Sequence, residues 1–184
     1  MKRPSKLLGL LLAGAFLAAA SPASADPQIS AALTLGPAFR GLRTPPVRPA
    51  FHLGGRADIL FLRASHRGMG LGPYVELGTS GFDAFEAGGG VEWLVPAWST
   101  AFIFSGGTGV RASGSGSQPV ATWGLFWGSR SYNFHSLYGF GAGLFAQGRY
   151  GLGDSRSFDV ITGAQIDLAL LALPFVFAVQ ALRH

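Results

Sequence analysis

From residue 51 to 61 the odd positions read Phe51, Leu53, Gly55, Ala57, Ile59 and Phe61, and the even positions read His52, Gly54, Arg56, Asp58 and Leu60. A period of two puts these sets on opposite faces of a strand, with both charges on one face. The same alternation predicts eight strands, over about 29–40, 51–63, 71–78, 85–95, 100–111, 121–130, 138–149 and from 158 onward. In the fourth, Phe85, Ala87, Val91 and Trp93 oppose Glu86, Gly88, Gly90 and Glu92. In the seventh, Tyr138, Phe140, Leu144 and Ala146 oppose Gly139, Gly141, Gly143, Gln147 and Arg149. No charged residue falls on the apolar face within the body of any segment.

Short clusters of turn-forming residues separate the segments, among them Pro45-Pro46 and the run Ala-Ser-Gly-Ser-Gly-Ser-Gln at 112–118. These connections are too short for parallel crossovers, so the sheet is expected to be antiparallel. With both termini at one end, the loops around Pro45, Ser80, Ser115 and Gly153 lie at the other.

The first 25 residues are read as a cleaved signal peptide. Lys2, Arg3 and Lys6 precede the apolar stretch 7–20, and Ala23-Ser24-Ala25 offers a small-x-small cleavage site before Asp26. Fourteen apolar residues are too few to span a bilayer, which needs about 20. The chain has no cysteine, so it has neither a lipid-attachment thiol nor a disulfide framework.

Removing the signal changes the charge picture. Residues 26–184 form one expected domain with 11 arginines, nine acidic residues and no lysine, so the formal charge falls from +5 to +2. No basic run remains, which excludes a nucleic-acid surface. Charge this sparse cannot cover the exterior of a soluble domain, which is usually about a quarter to a third charged.

Alternation alone does not say which face points inward. One arrangement is a soluble lipocalin-like periplasmic barrel with an apolar ligand inside. The other is a transmembrane barrel with its polar face inward, favoured by scarce charge, glycine-rich polar faces and tryptophans at the apolar face or strand ends. The second reading gathers Arg40, His52, Arg56, Asp58, Glu76, Glu86, Glu92, Arg111, Arg130, Arg149, Asp159 and Asp167 in the lumen. Five positive and six negative groups there are expected to form an internal salt-bridge network, since unpaired buried charges cost several kcal/mol each. An eight-stranded barrel is just wide enough for side chains to fill, so no open pore is expected.

In this arrangement the chain resembles the small outer-membrane β-barrels of Gram-negative bacteria, the OmpA/OmpX-like and related outer membrane protein beta-barrel families. The resemblance is architectural and covers the signal and nearly all the mature chain. It implies an all-β, eight-stranded antiparallel up-and-down transmembrane barrel with a polar, charge-lined lumen. It also implies outer-membrane lipid and the outer-membrane assembly machinery as partners, and a monomer. One departure stands out: such barrels usually end on an aromatic residue, whereas this chain ends Ala181-Leu182-Arg183-His184. The stretch 168–179 is apolar on both faces, and the region after about 172 is either a bulged eighth strand ending near Phe177 or a short apolar helix.

Some barrels of this size modify lipid A, and the adjacent His135-Ser136 pair is the best candidate for a base and nucleophile. Adjacent strand residues point to opposite faces, and the pair lies at the end holding the termini, so no enzymatic activity is expected. His52 is expected to be a hydrogen-bond partner within the network. No metal-ligand spacing or nucleotide fingerprint occurs, so no metal and no cofactor are expected. The expected role is structural or envelope-associated, with no identified protein partner.

Overall fold

A computed structural model describes residues 27–43, 46–63, 65, 67–114, 116–132, 141–153 and 156–168. It is all-β. The eight strands are β1 (Gln28–Arg40), β2 (Arg48–Leu60), β3 (Gly70–Ser80), β4 (Ala84–Ala97), β5 (Thr100–Ser113), β6 (Gly116–Gly128), β7 (Ala142–Gly151) and β8 (Phe158–Asp167). Each pairs antiparallel with its neighbours in sequence, and β8 pairs with β1 to close the barrel. Closure leaves neither β1 nor β8 as a free edge strand. The start of β1 and the end of β8 share one end, called here the near end; the opposite end is the far end.

Side-chain period and burial agree along the strands. In β1, Ser30, Ala32, Thr34 and Ala38 are buried, while Ile29 and Phe39 are 48% and 40% exposed. The outer surface of the barrel carries Phe51, Leu71, Val75, Leu77, Phe85, Val91, Phe104, Val110, Leu125 and Leu144, all exposed. All four tryptophans are exposed as well. Among the described residues, the exposed charges are Arg43, Arg48, Arg67, Asp83 and Arg156, each in a connection or at a strand tip.

The boundaries differ from expectation at several strands: β2 begins at Arg48, ahead of Phe51, and β5 reaches Ser113 while β6 begins at Gly116, inside the turn expected at 112–118. β2 stops at Leu60 rather than Arg63, because Leu62 takes φ 65°, although Phe61 still bridges to Leu71. β6 stops at Gly128, so Arg130 lies just past the strand. β8 ends at Asp167; the two endings expected beyond it fall on residues 169–184, outside the described residues. The signal segment 1–25 and the first residues expected for β7 likewise lie outside them.

Two features shape the interior. Between β4 and β5, Gly90 and Gly107 sit opposite each other with the backbones in close approach. A Cβ at Gly90 would lie 2.1 Å from the Gly106 carbonyl oxygen, and one at Gly107 would lie 2.2 Å from that of Gly89. Only glycine permits this approach. Toward the near end, Leu60, Leu94, Ala101, Ile103, Phe126 and Tyr132 form a buried apolar cluster inside the barrel, with Phe145 against it. The polar, charge-lined face expected from the sequence thus carries an apolar layer as well, and the alternation places these side chains inward in the same phase as the charges.

Candidate functional site in the barrel lumen

The inward faces of all eight strands supply a column of charged and polar side chains in three tiers. Near the chain termini, Arg130 is the centre. Its guanidinium reaches the Asp58 carboxylate at 2.5 Å and the Asp167 carboxylate at 3.0 Å, and donates to the Ser30 hydroxyl at 2.8 Å. The Ser131 backbone N–H also donates to Asp167. Asp58 and Asp167 are 1% exposed, so neither carboxylate relies on water for its stabilisation. Tyr132 closes this tier beside Arg63 and Arg130, 5.1 and 5.8 Å from its ring centre. Burial raises the Tyr132 phenol well above its ordinary value and keeps it neutral.

The middle tier is built around Arg56. It donates to Glu92 at 2.6 Å, lies 3.9 Å from Glu76, and stacks 3.8 Å over the Tyr74 ring. The Tyr74 hydroxyl meets the Thr122 hydroxyl at 3.2 Å. Gln147 donates to both oxygens of Glu76 at 2.9 Å and accepts from Arg149 at 3.0 Å. Arg149 reaches onward to Glu86, which joins this tier to the next.

In the far tier Arg111 bridges Glu86 and Asp159, each at 2.5 Å. The Gly41 backbone N–H donates to Asp159 at 2.8 Å, tying the β1–β2 connection to the column. His52 is 2% exposed and lies between the Thr34 hydroxyl at 3.2 Å and the Ser80 hydroxyl at 3.4 Å, with no carboxylate partner among the described residues. A histidine held by two hydroxyls is a hydrogen-bond bridge between β1, β2 and β3.

Of the twelve residues selected from sequence, Arg40 stands apart. It lies at the far mouth, where it pairs with Asp83 at 2.5 Å and donates to the Ser80 carbonyl at 3.2 Å. Among the described residues, the lumen proper therefore holds four arginines (Arg56, Arg111, Arg130 and Arg149) against six carboxylates. The sequence selection passed over Ser30, Tyr74, Asp83, Thr122 and Gln147. Four of these sit in the inward phase of their strands and were marked by position alone; Asp83 lies in the β3–β4 turn.

The column leaves little space. One pocket of about 20 Å³ lies among Thr34, His52, Arg56, Glu76, Glu92 and Gln147, enough for about one water. Asp58, Glu92 and Gln165 each keep one buried polar atom without a hydrogen-bond partner among the described residues. No group of three or more His, Cys, Asp or Glu side chains there is arranged to hold a metal ion. The His135-Ser136 pair lies outside the described residues. Comparison with protein-family models, with curated proteins and with solved structures finds no match.

Proposed function

We propose that the chain is an integral outer-membrane barrel, exported through a cleaved signal, whose lumen is plugged by side chains and which carries no enzymatic activity. Its role on this reading is structural or envelope-associated. The observation that carries it is the distribution of polarity. Large apolar side chains cover the outside of the strands, while the six carboxylates and four arginines of the column are directed inward. In water this arrangement would expose a continuous apolar surface, far beyond the few hundred Å² usual for a soluble monomer. In a bilayer it is the low-energy arrangement.

The turns support the same reading. Leu62, Phe82 and Trp98 take positive φ (65°, 60° and 53°) and are 61%, 63% and 99% exposed. A large side chain is strained in that backbone region, and glycine would relieve the strain. Apolar side chains at such positions have a use if the barrel ends contact the membrane interface, where aromatic rings are favoured. The charged column and the small space left among the described residues count against a lipocalin-like ligand site.

Val75 provides the test. It lies at the middle of β3 and is 60% exposed on the outer face. Val75→Arg should cost about 2–4 kcal/mol in a bilayer, because a cation is then placed near the hydrocarbon midplane. On a soluble barrel the same exposed substitution should stay within about 0.5 kcal/mol. Urea unfolding in phosphatidylcholine vesicles measures the difference. Recovery of the native protein in the detergent-free soluble periplasm, together with a neutral Val75→Arg, would overturn the membrane reading.

A further inference from the structure

The described charges are unevenly divided. Among the described residues, carboxylates outnumber arginines six to four inside, while at the ends Arg40, Arg43, Arg48, Arg67 and Arg156 are described with one acid, Asp83; Asp154, in the β7–β8 connection, lies outside the described residues. The far end concentrates this excess on one side. Arg40 and Arg48 are direct cross-strand partners, both in the inward phase at the mouth. Like charges directly opposite destabilise a strand pair. Asp83 offsets Arg40 alone, and Arg48 is exposed with no carboxylate partner among the described residues.

Arg43 and Arg156 belong to the same sector. The Leu42 N–H donates to the Phe158 carbonyl at 2.8 Å, which brings the β1–β2 connection against the start of β8. Arg43 lies 6.0 Å from the centre of the Tyr150 ring, and Arg156 stands two residues before Phe158. Below this rim, on the outer face, Phe39 and Phe51 are exposed, and Phe158 stacks on Trp123 at 5.7 Å with a 13° interplanar angle. The sector is thus cationic at the tip and apolar and aromatic directly beneath.

We infer that the rim formed by Arg43, Arg48 and Arg156, above the Phe39, Phe51 and Phe158–Trp123 wall, binds an anionic membrane lipid through a headgroup phosphate that no cation of the lipid offsets. The phosphate takes the guanidinium donors, which match its geometry, and the acyl portion lies along the aromatic wall. A soluble phosphate would satisfy the arginines but leave the wall without a partner; a zwitterionic lipid would cover the wall but bring a phosphate whose charge its own cationic headgroup already offsets. This inference rests on the membrane reading above. It would give the barrel a preferred anionic lipid at its far rim and would explain why Arg48 is placed opposite Arg40.

Native mass spectrometry of the detergent-solubilised mature protein, titrated with phosphatidic acid and phosphatidylcholine, tests it. A single arginine near a charged lipid surface contributes about fivefold in affinity, so phosphatidic acid should be preferred by about tenfold or more. The triple variant R43Q/R48Q/R156Q should bring the ratio close to one, while Arg67→Gln at the near end should leave it unchanged. Equal loss in Arg67→Gln, no preference in the native protein, or full displacement by millimolar inorganic phosphate would each overturn the inference. Flotation with pure phosphatidylcholine vesicles separates the two claims: a barrel that floats without lipid preference sinks this inference alone, and one that does not float sinks both.

Discussion

Arg130→Ala should lower folding stability by about 3–5 kcal/mol, because it strands two buried carboxylates together. Arg130 lies past the end of β6, and its side chain is 2% exposed between Asp58 of β2 and Asp167 of β8. It therefore ties together three separate segments of the barrel wall. The same logic predicts recovery. Adding Asp58→Asn and Asp167→Asn to Arg130→Met removes all three charges and should restore most of the loss, since a buried ionic group replaced as a unit often leaves stability little changed. Urea unfolding of the vesicle-inserted barrel, followed by tryptophan fluorescence, gives both values. If Arg130→Ala shifts stability by less than about 1 kcal/mol, the near tier is not a determinant of the fold.

The period of two made the wall of this barrel legible, because parity alone decides whether a side chain points in or out. Arg56, Asp58, Glu86, Glu92 and Asp159 were separable from Phe51, Phe85 and Trp93 on that basis, and the strands place them accordingly. Parity does not give height along the barrel or the partner across it. Leu60, Leu94, Ile103 and Phe126 share the inward phase of the charged residues, yet they gather toward the near end as an apolar layer. Their clustering follows from the register between strands, where Leu94 faces Ile103 and Ile103 faces Phe126.

Cross-barrel pairing was hidden for the same reason. Arg149 is the register neighbour of Asp159, but it reaches Glu86 on β4, and Gln147 of β7 bonds Glu76 of β3. Such pairs exist only after closure, when distant inward faces meet across a narrow lumen. A near-balanced count of charges signalled a network without saying who pairs with whom. Arg40 shows the limit of the method: it has inward parity, but its height sets it at the mouth, where an exposed turn residue, Asp83, is its partner.

Gly90→Val should destabilise the barrel by about 3 kcal/mol or more, whereas Gly106→Val should be neutral or mildly stabilising. The two positions lie on adjacent paired strands and differ in what surrounds them. A Cβ at Gly90 points inward, 2.1 Å from the Gly106 carbonyl oxygen and 2.5 Å from the Gly107 Cα. Neither atom can rotate away, so accommodating a side chain means separating β4 from β5 and weakening ladder bonds around the pair. A Cβ at Gly106 points outward and meets nothing within 4 Å. There valine restricts the unfolded chain and suits a strand, and no neighbour must move. Glycine is thus required at one position by the path of the backbone and at the other by nothing in the structure. Comparing the two variants by urea unfolding, with gel migration before and after boiling as a check on folding, tests the close approach directly. Equal effects at both positions would mean that β4 and β5 are not held in that close approach, and the curvature of this side of the barrel would have to come from another source.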